Sequence, residues 1–144
     1  MSTSSPIYPC LWFEHQAAEA AEFYLSVFKN SRQLSANPAA VHVQLNGTTF
    51  MLLNGKQANT TFNESSSYVI TCETQEEIDH YWVNFTKDGK EKMCGWCEDR
   101  YGVSWQIVPA ILGQLMSDPD RAPRVVDAFL KMKKFNIERL LKAY

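Results

Sequence analysis

The sequence has little of what usually announces a chemistry. Its 144 residues include three histidines and six glycines. The glycines, at 47, 55, 89, 95, 102 and 113, are scattered, and no G-x-G occurs. A nucleotide-derived cofactor or methyl donor is usually held by a glycine-rich strand-to-helix turn, so that mode of binding is disfavoured. No apolar run approaches the roughly 18 residues that a bilayer-spanning helix needs. No basic stripe is present and the formal net charge is -2, which argues against nucleic-acid partners held by phosphate neutralisation. Residues 1–6 lack the charged and apolar regions of a signal peptide and read as a disordered tail, so a cytoplasmic protein is expected. Four cysteines, Cys10, Cys72, Cys94 and Cys97, then read as reduced thiols.

What is present is an ordinary globular composition, 45% hydrophobic and 21% charged, sufficient for one domain with a real core. Within it lies a half-hidden internal repeat. Glu19 falls on Glu76, Glu22 on Asp79, Tyr24 on Tyr81 and Phe28 on Phe85, at one constant offset. Each segment follows a short apolar stretch, Cys10 to Phe13 and Tyr68 to Ile70, and each leaves room for three more short strands. Repeats report architecture first. Two copies of strand, helix and three strands suggest similar halves around a shared concavity, a common place for a small ligand.

Periodicity fills in the elements. Ile7 to Phe13 reads as a strand and Ala17 to Phe28 as a helix. Arg32 to Ser35 is a short strand. Val41, Val43 and Leu45 alternate with polar residues, as in a half-buried strand, and Asn46-Gly47 is a hairpin signal before Thr48 to Leu53. In the second half Ser67 to Thr71 is a strand. Thr74 with Glu77 resembles a capping box, and Ile78, Tyr81, Trp82 and Phe85 form a helical stripe. Strands follow at Lys92 to Trp96, Cys97 to Arg100 and Ser104 to Pro109. Val125, Phe129 and Met132 share a further helical stripe, as do Ile137, Leu140, Leu141 and Tyr144. The expected layout is one domain: tail 1–6, first βαβββ module 7–55, linker 56–66, second module 67–110, and C-terminal helices 111–144.

These residues carry a family resemblance. Pro9-Cys10-Leu11-Trp12-Phe13 leads into Ala17-x-Glu19-Ala20-Ala21-x-Phe23-Tyr24-x-x-Val27-Phe28. Gln75-Glu76-Glu77-Ile78-Asp79-x-Tyr81-Trp82 follows, then Cys94-Gly95-Trp96-Cys97-x-Asp99-Arg100-Tyr101-Gly102-Val103-Ser104-Trp105-Gln106-Ile107-Val108-Pro109, and finally Lys131 to Lys134. Over nearly its whole length the chain resembles the vicinal oxygen chelate superfamily, with the glyoxalase/bleomycin-resistance fold. Within it the PhnB-like branch is the nearer match, a branch that also carries the label 3-demethylubiquinone 3-methyltransferase. One departure is the short segment Gln33 to Ala39, where relatives often carry a longer loop. The resemblance implies an α+β protein of paired βαβββ modules forming a half-open barrel, extra C-terminal helices, and a homodimer.

Metal-dependent members of that superfamily hold one divalent ion with His, Glu or Gln on the first and last strand of each module. The corresponding slots here fall around Tyr8 or Cys10, around Met51 or Leu52, at Ser67 and at Gln106. None is His or carboxylate, so no metal and no cofactor is expected. His15, His42 and His80 share no ligand spacing and read as peripheral. Cys94-Gly95-Trp96-Cys97 is a C-x-x-C in an extended stretch, where helix-activated thiol chemistry is not expected. Glu14 ends the first strand as a solvated carboxylate or a base at a cavity mouth, and Asp99 and Arg100 read as turn formers. Trp12, Trp96 and Trp105, with Tyr8 and Tyr101, make the candidate barrel aromatic. The expected function is metal-free binding of a small organic ligand, as in antibiotic-sequestering members, with Cys10, Trp12, Ser67, Trp96 and Gln106 lining the pocket. The rival is a metal-dependent lyase, isomerase or dioxygenase, or the methyltransferase of the label. A third possibility is a scaffold binding a protein partner through an exposed Val125, Phe129 and Met132 stripe.

Overall fold

Residues 7–144 are described by the computed structural model, and the tail expected over 1–6 lies outside them. The chain divides into two compact units, Met1–Thr60 and Thr61–Tyr144, and each is built on the same plan.

In the first unit β1 (Cys10–Trp12) is followed by α1 (Ala17–Val27), then β2 (Ser31–Ala36), β3 (Ala40–Leu45) and β4 (Thr48–Leu53). The sheet order is β1-β4-β3-β2. β1 runs parallel to β4, with Cys10 opposite Met51 and Trp12 opposite Leu53, while β3 and β4 form the antiparallel hairpin that Asn46-Gly47 announces. Both turn residues have positive φ, 49° and 86°, as a tight hairpin of this kind requires. Strand alternation sends Leu11, Val41, Val43, Phe50 and Leu52 into the core, where Ala20, Ala21, Tyr24 and Val27 of α1 meet them. The helix has no cap from its own Gln16. Instead Asn54, just past β4, accepts the Ala17 N–H at 2.9 Å and supplies the missing acceptor.

The second unit repeats this with β5 (Tyr68–Cys72), α2 (Gln75–Thr86), β6 (Lys90–Glu91), β7 (Trp96–Glu98) and β8 (Ser104–Pro109). Its order is β5-β8-β7-β6, and β5 runs parallel to β8. Thr74 caps α2 by accepting the Glu77 N–H at 3.2 Å, and Ile78, Tyr81, Trp82 and Phe85 are all buried. The residues matched by the repeat play matched parts. Tyr24 and Tyr81, and Phe28 and Phe85, are buried, whereas Glu19 and Glu76 face solvent.

Two expectations need correction. Lys92 to Trp96 is not a strand. Cys94 and Gly95 both have positive φ, 59° and 80°, and their N–H groups bond to the carbonyls of Met132 and Lys133 at 2.7 and 2.8 Å. The C-terminal segment takes the hydrogen bonds that a neighbouring strand would have supplied, and the strand is displaced to β6. The exposed stripe of Val125, Phe129 and Met132 that a partner-binding scaffold would require is likewise not found. Val125 and Met132 are buried, and Phe129 lies edge-on to Phe135 with ring centres 5.8 Å apart. The elements concerned are α3 (Leu112–Leu115), α4 (Ala122–Phe129) and α5 (Ile137–Ala143). Between α4 and α5, the Gln75 side chain donates to Phe135 O at 2.9 Å and accepts from Ile137 N–H at 2.9 Å. No helix among the described residues is long and apolar enough to cross a membrane.

Candidate functional site

In β8, side chains alternate between the two faces of the sheet. Trp105 and Ile107 go under α2, where the Trp105 ring stacks on Phe85 at 4.8 Å between centres. Trp105 therefore belongs to the core and not to an aromatic wall. Ser104, Gln106 and Val108 share the opposite face. Register places Gln106 beside Val69 of β5 and Trp96 of β7. Gln106 donates through Nε2 to Ser67 Oγ at 2.9 Å. Three of the five expected pocket residues, Ser67, Trp96 and Gln106, are thus brought together.

The approach to β8 is fixed by Asp99, which is 2% exposed. Its carboxylate accepts from Tyr101 N–H at 2.9 Å, Val103 N–H at 3.1 Å and the Trp105 indole at 2.9 Å. Filling a buried carboxylate with donors in this way makes it a turn anchor, as the sequence suggests.

Trp96 opens onto a cavity of about 380 Å³ lined also by Glu64, Lys92 and Met93. The Lys92 ammonium lies 3.0 Å from Glu64 and 2.7 Å from Glu98. Its pKa is raised, by the hydrogen bond to Glu98 first and to Glu64 next. Glu64, Lys92, Met93 and Glu98 are absent from the sequence-based site. Glu64 falls in the linker, and nothing in the linear pattern ties it to Lys92. The alternation of β7 does place Glu98 on the face of Trp96, and that signal was available.

Cys10 and Trp12 lie in the first unit, on the face of β1 opposite buried Leu11. Trp12 is 37% exposed, and its indole donates to Asn54 O at 3.2 Å. Register sets Cys10 against Met51 and Met51 against His42. His42 also contacts Ser35 Oγ at 3.3 Å and meets the Tyr8 ring edge-on. Leu52, the other residue considered for that slot, is fully buried on the α1 side.

The superfamily's divalent ion does not suit these residues. Desolvation raises the pKa of the Cys10 thiol, which disfavours the thiolate that would bind metal. Met51 offers a weak thioether, and Ser67 and Gln106 are bonded to each other. Among the described residues no group of three or more His, Cys, Asp or Glu is gathered in a way that could hold an ion. The C-x-x-C is equally unsuited to redox work. Cys97 is buried with its pKa pushed up to about 12, by burial first and by Asp99 and Glu98 next. Cys94 sits in a turn at positive φ, and the element that follows it in the chain is strand β7 rather than a helix.

Residues 5–108 match the model of the family described as 3-demethylubiquinone-9 3-methyltransferase. The chain belongs to that family. It is also similar to the solved structure of a PhnB protein from Bacillus cereus, described under the same methyltransferase name. That match has 34% identity and a TM-score of 0.67, and covers 74% of this chain and 100% of the other. A Pseudomonas aeruginosa protein shares the fold at 18% identity and a TM-score of 0.60, over 74% of this chain and 98% of its own. So does the fosfomycin resistance protein FosX of Listeria monocytogenes, solved with Mn(II) and sulfate. There the identity is 11% and the TM-score 0.57, over 78% of this chain and 95% of the other. At such identities the likeness is one of fold alone. No curated protein matches the chain. The paired βαβββ modules are also the fold of a glyoxylase/bleomycin resistance protein/dioxygenase domain from Frankia, at 12% identity and a TM-score of 0.53 over 75% of this chain and 93% of the other.

Proposed function

We propose that this PhnB-like protein is a metal-free binder of a small organic molecule. The observation that carries the reading is the cavity on Trp96, set in register beside the bonded pair Gln106 and Ser67. An aromatic wall with a few convergent polar groups is the usual composition of a small-molecule site. Cys10 and Trp12 remain proposed as further ligand contacts, and the protein is proposed to work in the cytoplasm as a homodimer. The ligand chemistry at the superfamily's metal slots weighs against a metal-dependent lyase, isomerase or dioxygenase. Methyl transfer, the activity in the family's name, would call for a donor site. None of the three strand-to-helix turns, at 13–16, 73–74 and 110–111, contains a glycine with which to cradle a nucleotide-derived donor.

A screen of aromatic compounds by calorimetry tests the reading. Gln106→Leu removes the polar group that orients the ligand and is expected to weaken binding about tenfold, the effect of one hydrogen bond of about 1.4 kcal/mol, with the protein still folded and its stability lowered by no more than the lost bond to Ser67. Unchanged affinity would remove Gln106 from the site. Stoichiometric uptake of manganese, iron, cobalt, nickel or zinc that is lost in Gln106→Leu would overturn the metal-free reading.

A further inference from the structure

Charge is out of balance in the Trp96 cavity, and the imbalance selects a class of ligand. The inference rests on the reading that this cavity is the binding site. Lys92 is the cationic group of its lining, and its ammonium is held by Glu64 at 3.0 Å and Glu98 at 2.7 Å. Two carboxylates therefore face one ammonium. Gln106, in register with Trp96, gives one of its two amide N–H groups to Ser67. The carboxylates around the cavity thus outnumber its ammonium two to one.

The apolar lining has the same preference. Trp96 and Met93 present an indole ring and a thioether, and Met93 is 44% exposed. A cation is attracted to an indole face, and a thioether is soft and adaptable. The Glu64 side chain is 66% exposed against 22% for Glu98. Glu64 is thus free to turn from Lys92 to an incoming cation while Glu98 keeps its partner.

We propose that the cavity takes an amphipathic organic cation, a primary or secondary ammonium carried on a flat apolar body. The ammonium sits against Glu64, and the body lies over Trp96 and Met93. An anion would have to draw Lys92 from both carboxylates and then lie beside them, which unpaired like charges oppose.

Three probes of one shape separate charge from shape: 2-naphthylmethylamine, 2-naphthylmethanol and 2-naphthoate, each titrated calorimetrically into the full chain at neutral pH. The amine is expected to bind about tenfold more tightly than the alcohol, the scale of one desolvated cation–π or ion-pair contact, and the naphthoate more weakly than either. Glu64→Gln should remove most of the amine's advantage and leave the alcohol unchanged. Lys92→Met frees both carboxylates and should strengthen the amine further, a gain that damage to the fold cannot imitate. Naphthoate binding as tightly as the amine, or an amine preference indifferent to both substitutions, would overturn the proposal. Equal binding of all three that is weakened by Trp96→Leu would leave the cavity as a site and refute the cation. Binding of none would refute both.

Discussion

Position 95 has room for nothing beyond hydrogen. A Cβ built there would run into the ring edge of Phe135 and come within 2.8 Å of Ile107 O, at a φ of +80°. Gly95→Ala therefore combines a backbone conformation that costs an L-residue about 1–2 kcal/mol with overpacking worth about 1–3 kcal/mol. We expect a loss of about 3 kcal/mol in the denaturant unfolding free energy. Gly113, where a Cβ meets nothing within 4 Å, is the control, and Gly113→Ala should be neutral or slightly stabilising. The buried thiols give a second expectation at this scale. Cys72 and Cys97 both have pKa values pushed from 9.0 up to about 12, chiefly by burial. The folded state holds their protons more tightly than the unfolded state. Their contribution is thus complete below pH 9 and is lost as pH rises from 9 towards 12. The unfolding midpoint should fall across that window, and Cys97→Ala should flatten the fall. An equal slope in the variant would assign the loss to other groups. Some of these roles were legible in the sequence. Asp99 followed by Gly102 reads as a turn because the partners of its carboxylate are its own neighbours. Gly95 does not read as a contact point, because Phe135 reaches it from far along the chain.

At the level of elements, helices and the β3–β4 hairpin were legible where the pattern is local. The stripe from Ile78 to Phe85 predicts α2, and Asn46-Gly47 predicts the β3–β4 hairpin. The segment from Lys92 to Trp96 misleads because its backbone hydrogen bonds go to residues 132 and 133, beyond the reach of any local pattern. That segment is better described as a joint between β7 and the chain that enters α5. Gln75, at the start of α2, closes the joint from the other side by bonding both Phe135 O and Ile137 N–H. Lys134 adds an ion pair to Asp79 at 2.7 Å, and that hydrogen bond is the first cause of a lowered Asp79 pKa. Gln75→Ala leaves two partly buried backbone groups without partners, a loss of about 2 kcal/mol. The local consequence is faster native-state cleavage by trypsin at Lys131, Lys133 and Lys134, which gel analysis of timed digests would follow. Cleavage at the wild-type rate would mean that Phe135, the Cys94 and Gly95 hydrogen bonds and the Lys134–Asp79 pair hold the segment down without Gln75.

Across the whole molecule the repeat is the most informative signal, because it predicts two similar halves before any strand boundary is known. The repeat also exposes an asymmetry in how the sheet edges are treated. One edge of each sheet carries charge: Arg32 lies in β2, and Lys90 and Glu91 form β6. The other edges, β1 (Cys10–Trp12) and β5 (Tyr68–Cys72), contain no charged residue. Beside or within these edges Ile7 is 89% exposed, Tyr8 39%, Trp12 37% and Val69 58%. An uncharged apolar edge invites pairing with another chain, and natural proteins usually blunt such edges with charge. That contrast supports the proposed homodimer, with β1 or β5 at the contact. Sedimentation equilibrium should then give twice the 16.5 kDa chain mass at micromolar concentration. Val69→Lys or Ile7→Lys, which charges an edge without touching the core, should shift the equilibrium towards the single chain. A wild-type protein that sediments as a single chain at every concentration would refute the dimer, and the uncharged edges would then need another explanation.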